Sequence, residues 1–354
     1  MGKKSAYNEN LKKERSMKFK ELRNELPSYV HSYLDSMVID YQINTLIAYA
    51  RDLKTFFEYL QEMNPSLNGT PLNQISEDIL NALTQQDIVE YRNYLSSNDG
   101  LYEHSNQASS IERRMAPLRG FFADACDNGI LSNNPTLVQH SHHRKRKEKK
   151  EIVFLENNEV TELLHVIEST AVASPKQQKF CQKTRLRDLA IISLLLNTGI
   201  RISECVGLDL DDINFKDNSL RVYRKGGFEE TIFFNKTVAC TLTDYIKNER
   251  IHFVPSSDEK ALFLSSKKQR MAVRSIQAMV KKFSLEAVPG KKISCHKLRS
   301  TYGTILYEIT GDIRLVADIL GHSDISTTAK HYSALKKRHK QRGGEIEPFS
   351  NKKR

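Results

Sequence analysis

Residues 187–213 read RDLAIISLLLNTGIRISECVGLDLDDI, and this stretch decides the second half of the chain. The run from Leu189 to Leu196 is apolar except at Ser193, which predicts a mostly apolar helix over 187–197. Thr198-Gly199 ends it, because a glycine just past a helix supplies the backbone freedom that a C-terminal turn needs. A short helix over 200–207 follows. The period then changes to two. Residues 212–215, 220–224 and 230–234 read as three short strands, with turns at 216–218 and 225–228. Helical patterns fill most of the remainder.

Upstream, the chain reads as all-helical. Residues 1–25 are densely charged and read as a frayed helix or a mobile leader. In 41–60 (YQINTLIAYARDLKTFFEYL) the residues Leu46, Tyr49, Leu53, Phe56, Phe57 and Leu60 recur at steps of three and four, one stripe of a helix. Thr84 with Asp87 three positions on predicts a capped helix start. A helix over 111–126 carries Pro117, where a kink is expected. Asn128-Gly129 and Asn134-Pro135 then break the pattern. Residues 140–150 (HSHHRKRKEKK) contain no apolar side chain, and six of the last seven are Lys or Arg. This is a linker by composition, and Arg144, Lys145, Arg146 and Lys147 are candidate contacts to a DNA backbone. Its histidines lack Cys or carboxylate partners at metal-ligand spacing, so no metal site is expected there. The expected layout is a leader over 1–28, a helical domain over 29–138, a basic linker over 139–151, a second domain over 152–335 and a tail over 336–354.

Charge points to a polyanion. The chain carries 54 Lys+Arg against 43 Asp+Glu, a net charge of +11, and 39% of its 354 residues are hydrophobic. Residues 1–150 are nearly balanced, with 20 basic against 19 acidic, so the surplus sits in 151–354. Basicity on this scale suits a nucleic-acid partner. No apolar run reaches the roughly 18 residues of a membrane span, and the N-terminus lacks the apolar core of a secretory signal. The five cysteines are odd in number and form no CxxC pair, which predicts free thiols and a cytoplasmic protein.

Five short motifs carry possible chemistry. In TGIRISE, Arg201 and Glu204 are three apart and share a helix face, so the carboxylate holds the guanidinium fork in one orientation, ready for a phosphate. Lys225-Gly226-Gly227 places a lysine on a turn between strands, able to reach a site and give up a proton. In HKLRSTYGT, His296 and Arg299 share the face of a helix start. LGHSD puts His322 just past a helix end. STTAKHYS puts Tyr332 near the end of a short helix capped by Ser326. Alone, each has an ordinary reading: a surface ion pair, an exposed turn lysine, a packed tyrosine. Asp209, Asp211 and Asp212 resemble a metal cluster but read better as caps on the turn into the sheet.

Taken in order, R-x-x-E, K-G on a hairpin, H-x-x-R, G-H and a tyrosine ten residues later resemble the tyrosine recombinase (phage-integrase) family. The likeness extends through 187–213 and into the N-terminal half, where TLIAYARDLKTFFEYL, LTQQDIVEYRNYL and RRMAPLRGFF are similar to the family's core-binding domain. It covers about residues 29–335, and its layout is Xer-like, as in compact mobile-element integrases. The resemblance implies a mainly α fold with a small antiparallel β-sheet: a two-domain DNA clamp of a helical SAM-like core-binding domain and a catalytic domain. It implies Tyr332 as nucleophile, Arg201 and Arg299 gripping the scissile phosphate, His322 donating to it, Lys225 as general acid, His296 assisting proton transfer or phosphate positioning and Glu204 orienting Arg201. No metal, no cofactor and no ATP are expected. The implied activity is site-specific strand exchange through a 3′-phosphotyrosine and a Holliday junction, for integration or excision of a mobile element or for chromosome-dimer resolution. The implied partners are double-stranded DNA with a recombination site, three further copies in a tetramer on two paired sites, and an accessory DNA-bending or excision factor, with no membrane. The tail is expected to dock in trans. Alternatives are a type IB topoisomerase-like relaxing enzyme and a DNA-binding regulator with a relic catalytic domain. Two features depart from the family pattern. Gly227, Phe228, Glu229 and Glu230 follow Lys225-Gly226 where more basic residues are common, and Tyr302 stands where phenylalanine is common.

Overall fold

A computed structural model describes residues 6–96, 108–137, 153–169, 175–224, 228–255 and 260–321. The chain divides into two compact units, Met1–Arg146 and Lys147–Arg354.

The first unit is helical throughout its described residues: α1 (Ala6–Asn24), α2 (Ser28–Ser36), α3 (Ile43–Met63), α4 (Glu77–Asn81), α5 (Gln85–Tyr94) and α6 (Ala108–Asp127). The stripe on α3 faces inward: Leu46, Leu53, Phe56, Phe57 and Leu60 are buried, and Tyr49 packs partly buried against them. Phe56 meets Tyr91 of α5 edge-on at 5.0 Å between ring centroids and Phe122 of α6 at 6.1 Å. Thr84 and Asp87 form the expected capping box, the Thr84 N–H donating to Asp87 at 2.7 Å. α6 continues through Pro117, which is buried.

Of the two readings of the charged N-terminal segment, a frayed helix or a mobile leader, the described residues take the helical one. Residues 6–24 form α1, and Phe19, Leu22 and Leu26 enter the same core as α3. Phe19 and Leu22 on the helix, with Leu26 just past its end, give even a highly charged segment a narrow buried edge. The charges sit outside that edge, as in the two hydrogen bonds from Arg23 to Asp35 at 2.8 and 2.5 Å.

The second unit is built around one helix. Its described elements are α7 (Asn157–Ser169), α8 (Pro175–Lys183), α9 (Arg185–Thr198), α10 (Ile202–Gly207), β1 (Ile213–Asn214), β2 (Ser219–Tyr223), β3 (Glu229–Phe233), α11 (Lys236–Asp244), α12 (Val273–Ala287), α13 (Cys295–Thr310) and α14 (Ile313–Leu320). α9 is buried at ten of its fourteen positions, and α7, α11 and α13 pack around it. Such a helix buries apolar surface on every side, at about 25 cal/mol per Å², so it fixes its neighbours to one another. Two charges within it are matched: Arg187 donates to Asp188 at 2.7 and 2.9 Å, and the buried Glu249 accepts from the N–H groups of Leu186 and Arg187 at the helix start.

The three strands form one antiparallel sheet in the order β1-β2-β3. Its register pairs Ile213 with Leu220 and Leu220 with Ile232. The strands lie within about one residue of the sequence expectation. The aspartates before β1 serve the turn. Asp212 accepts from the Asp209 N–H at 2.9 Å and from Arg221 at 3.1 and 3.2 Å, while Asp209 pairs with Arg270. Among the described residues, no group of three or more His, Cys, Asp or Glu is placed to hold a metal ion. All five cysteines are free thiols. No helix among the described residues is long and apolar enough to cross a membrane.

Candidate active site

Arg201 owes its place to the end of α9. Gly199 closes that helix with φ +62°, a conformation that costs an L side chain about 1–2 kcal/mol. The chain then turns so that Arg201 becomes the N-cap of α10. Glu204, three residues on, reaches back to accept from the Arg201 backbone N–H at 2.7 Å, and its other oxygen accepts from the Arg201 guanidinium at 2.9 Å. The carboxylate is buried at 4% exposure, whereas the Arg201 side chain is 38% exposed. Charged hydrogen bonds of this kind are strong. They hold the fork still while donors beyond those bound to Glu204 and Gly321 remain uncommitted among the described residues.

Arg299 comes from α13. Its guanidinium donates to the carbonyls of Gly199 and Leu320, which ties the end of α9 to the end of α14, and it is 5% exposed. Arg201 donates to the carbonyl of Gly321 at 3.1 Å. A third guanidinium, that of Arg224 at the end of β2, donates to Ile319 at 3.0 Å. Three arginines from three separate elements thus take three successive carbonyls, 319 to 321, at the end of α14. The cause is general: the last carbonyls of a helix have no partner within it, and the end they form is electronegative. His322 is the next residue in the chain.

His296 opens α13 one turn before Arg299. It keeps an exposed edge. Partial burial of the ring, and then the positive charges of Lys297, Arg299 and Arg201, hold its pKa below the ordinary 6.5. The imidazole therefore gives up its proton more readily than a free histidine does, and in the neutral form it offers one donor and one acceptor. Tyr302, one turn beyond Arg299, is a packing residue. It lies against the cluster of Tyr307, Val316 and Leu320, and its ring is so close to Gly199 that a Cβ there would stand 2.5 Å from it.

Of the residues expected from sequence, the structure brings together Arg201, Glu204, Arg299 and His296. Lys225, His322 and Tyr332 lie outside the described residues, as do Arg144, Lys145, Arg146 and Lys147 of the linker. Sequence reading passed over Arg224. A signal was there: Leu220 and Val222 are the buried face of β2, and at a period of two Arg224 continues that face.

The pattern that defines the phage integrase family matches residues 153–339, and that of the phage integrase N-terminal SAM-like domain matches residues 30–129. The chain belongs to the phage integrase family. Its members among the relatives are tyrosine recombinases. XerC of Caldanaerobacter subterraneus subsp. tengcongensis is 33% identical over 294 residues, covering 80% of this chain and 76% of that protein. XerS of Streptococcus agalactiae is 30% identical over 334 residues, covering 88% and 93%. Among solved structures, the XerH site-specific recombinase bound to a palindromic difH substrate aligns with a TM-score of 0.62 at 18% identity, over 85% of this chain and 79% of that one. The Tn1549 transposon integrase in complex with transposon right end DNA aligns with a TM-score of 0.60 at 20% identity, over 85% and 93%. At these identities the structural likeness establishes a shared fold, mostly helical with one small antiparallel sheet.

Proposed function

We propose that this tyrosine recombinase cuts DNA at a specific site by attack of the Tyr332 hydroxyl on a backbone phosphodiester. The Tyr332 oxygen bonds to phosphorus as the bond to the 5′-oxygen breaks. Lys225 gives the leaving oxygen its proton, and His296 assists removal of the tyrosyl proton. The phosphodiester becomes a 3′-phosphotyrosine of similar energy, so a 5′-hydroxyl from the partner strand reverses the step without external fuel. A free tyrosine has a pKa near 10 and is a weak nucleophile until placed and deprotonated.

The observation that carries this reading is the convergence of Arg201 and Arg299 on the carbonyls of Gly321 and Leu320 at the end of α14, just before His322 in the chain. Fixed cations at that point favour the charge that gathers on the non-bridging oxygens during attack more than they favour the resting phosphate. Four copies on two paired duplex sites exchange strands through a Holliday junction, for integration or excision of a mobile element or resolution of a chromosome dimer. The linker cations Arg144, Lys145, Arg146 and Lys147 lie on the DNA backbone, and residues 336–354 dock on a neighbouring copy.

A nicked suicide duplex that traps the cut strand tests the chemistry, followed by paired sites on one plasmid. Covalent adduct and recombinant product are expected. Relaxation of supercoils with no recombinant product would replace this reading with a topoisomerase, and binding with no adduct would replace it with a regulator.

A further inference from the structure

The turn that carries Lys225 contains two glycines, Gly226 and Gly227, which restrict the backbone least of all residues. A general acid must nevertheless be held within hydrogen-bond reach of the oxygen it protonates. The precision has to come from the residues that bound the turn. Arg224 bounds it on one side and is tied to Phe228 on the other. It immediately precedes Lys225, and its backbone N–H donates to the carbonyl of Phe228 at 2.8 Å, closing the loop.

The Arg224 side chain then fastens that closed base to another element. It is 9% exposed, pairs with Glu230 of β3 at 2.6 Å and donates to the Ile319 carbonyl at 3.0 Å. It also lies against Gly321: a Cβ at that position would stand 1.1 Å from the Arg224 Nη1. Gly321, with φ +59°, thus meets two demands that only glycine satisfies together, a left-handed backbone and room for a guanidinium. The acidic pair after the turn is explained by the same contacts. Glu230 holds Arg224, and Glu229 lies 3.9 Å from Arg221 across the sheet, so each carboxylate faces a strand arginine.

We propose that Arg224 is a positioning residue, which by joining Glu230 to the end of α14 fixes the base of the β2–β3 turn against the helix that leads into His322 and so sets the reach of Lys225. This rests on the reading of Lys225 as the general acid. A lysine held at the wrong distance slows only the step in which the 5′-oxygen takes up its proton.

The test compares cleavage of an ordinary nicked duplex with cleavage of the same duplex carrying a 5′-bridging sulfur, which leaves without a proton. Arg224→Ala and the milder Glu230→Gln are measured beside Lys225→Ala, with DNA affinity and thermal melting as controls on binding and fold. Arg224→Ala is expected to slow ordinary cleavage by roughly tenfold or more, within the range of a general acid's contribution, and Glu230→Gln by less. On the sulfur substrate both defects shrink towards wild type, with affinity unchanged. If Lys225→Ala is rescued by sulfur and the other two are equally slow on both substrates, Arg224 acts on the phosphate or the fold and the proposal is overturned. Wild-type rates for both variants overturn it as well. If Lys225→Ala is itself not rescued, the general-acid reading fails and the role of Arg224 falls with it. Should Arg224→Ala not fold, Glu230→Gln decides alone by the same comparison.

Discussion

Arg201 donates to the carbonyl of Gly321 at 3.1 Å, across 120 residues of sequence. One guanidinium therefore reports the state of two elements: the cap of α10, through Glu204, and the end of α14. Its aim depends on a carboxylate that touches no substrate. Glu204→Gln keeps the shape and one acceptor but removes the charge that accepts from both the backbone and the side chain of Arg201. Loss of a cap costs about 0.5–2 kcal/mol, and a misplaced binding group can cost roughly 100-fold in rate. Adduct formation should fall by about ten- to 100-fold while DNA affinity changes little. A variant with wild-type single-turnover rates would show that Arg201 needs no such partner.

Tyr332→Phe should abolish the covalent adduct and leave DNA binding nearly intact. Phenylalanine keeps the ring and removes only the attacking oxygen. The rival tyrosine is Tyr302, whose partial burial raises its pKa above 10 and whose ring is spent packing near Gly199. Adduct from the Tyr332→Phe protein on a suicide duplex would reopen the assignment, with Tyr302→Phe measured next.

Gly199→Ala should destabilise the second unit by about 2–4 kcal/mol, from a positive φ together with overpacking. The new Cβ would lie 2.5 Å from the Tyr302 ring and 2.8 Å from Leu320. It would also disturb the carbonyl that Arg299 binds, so activity should fall further than stability alone explains. Urea unfolding measures the first effect. In Gly199→Ala/Tyr302→Ala the clash with the ring should be relieved, while the contact with Leu320 and the backbone part should remain. A single-variant cost below about 0.5 kcal/mol, the level of ordinary surface changes, would contradict this account.

Much of this arrangement was legible before any coordinates. The α9 helix, its glycine stop and the three strands follow from local periodicity and turn chemistry, because each is settled within a dozen residues. Arg201, Glu204, His296 and Arg299 stood out because their motifs, taken in order, resemble those of the family. Two features were not legible. The buried edge of α1 is Phe19 and Leu22 in a charged segment, and nothing local distinguishes it from a solvated leader until α3 is there to receive them. The role of Arg224 depends on the Ile319 carbonyl, 95 residues away. A strand-end arginine discloses its partner only through the fold.

His296 should titrate below 6.5 in the free protein and closer to it, or above, when DNA is bound. Partial burial and the positive charges of Lys297, Arg299 and Arg201 disfavour the imidazolium in the folded protein. The unfolded chain, with the ordinary value near 6.5, therefore takes up a proton first as the pH falls. Over the window that opens at 6.5 and runs down to the lowered folded pKa, the unfolded state binds more protons than the native one, so stability rises with pH there. His296→Gln should flatten that part of the stability profile and leave the region above 6.5 unchanged. A phosphate between Arg201 and Arg299 would offset their charge and stabilise the imidazolium, so DNA binding should draw in a proton. Ring-proton chemical shifts of His296, followed against pH with and without a duplex site, measure both values. A free-protein pKa at or above 6.5 would sink the electrostatic account, and an unchanged value on DNA would place the scissile phosphate away from His296.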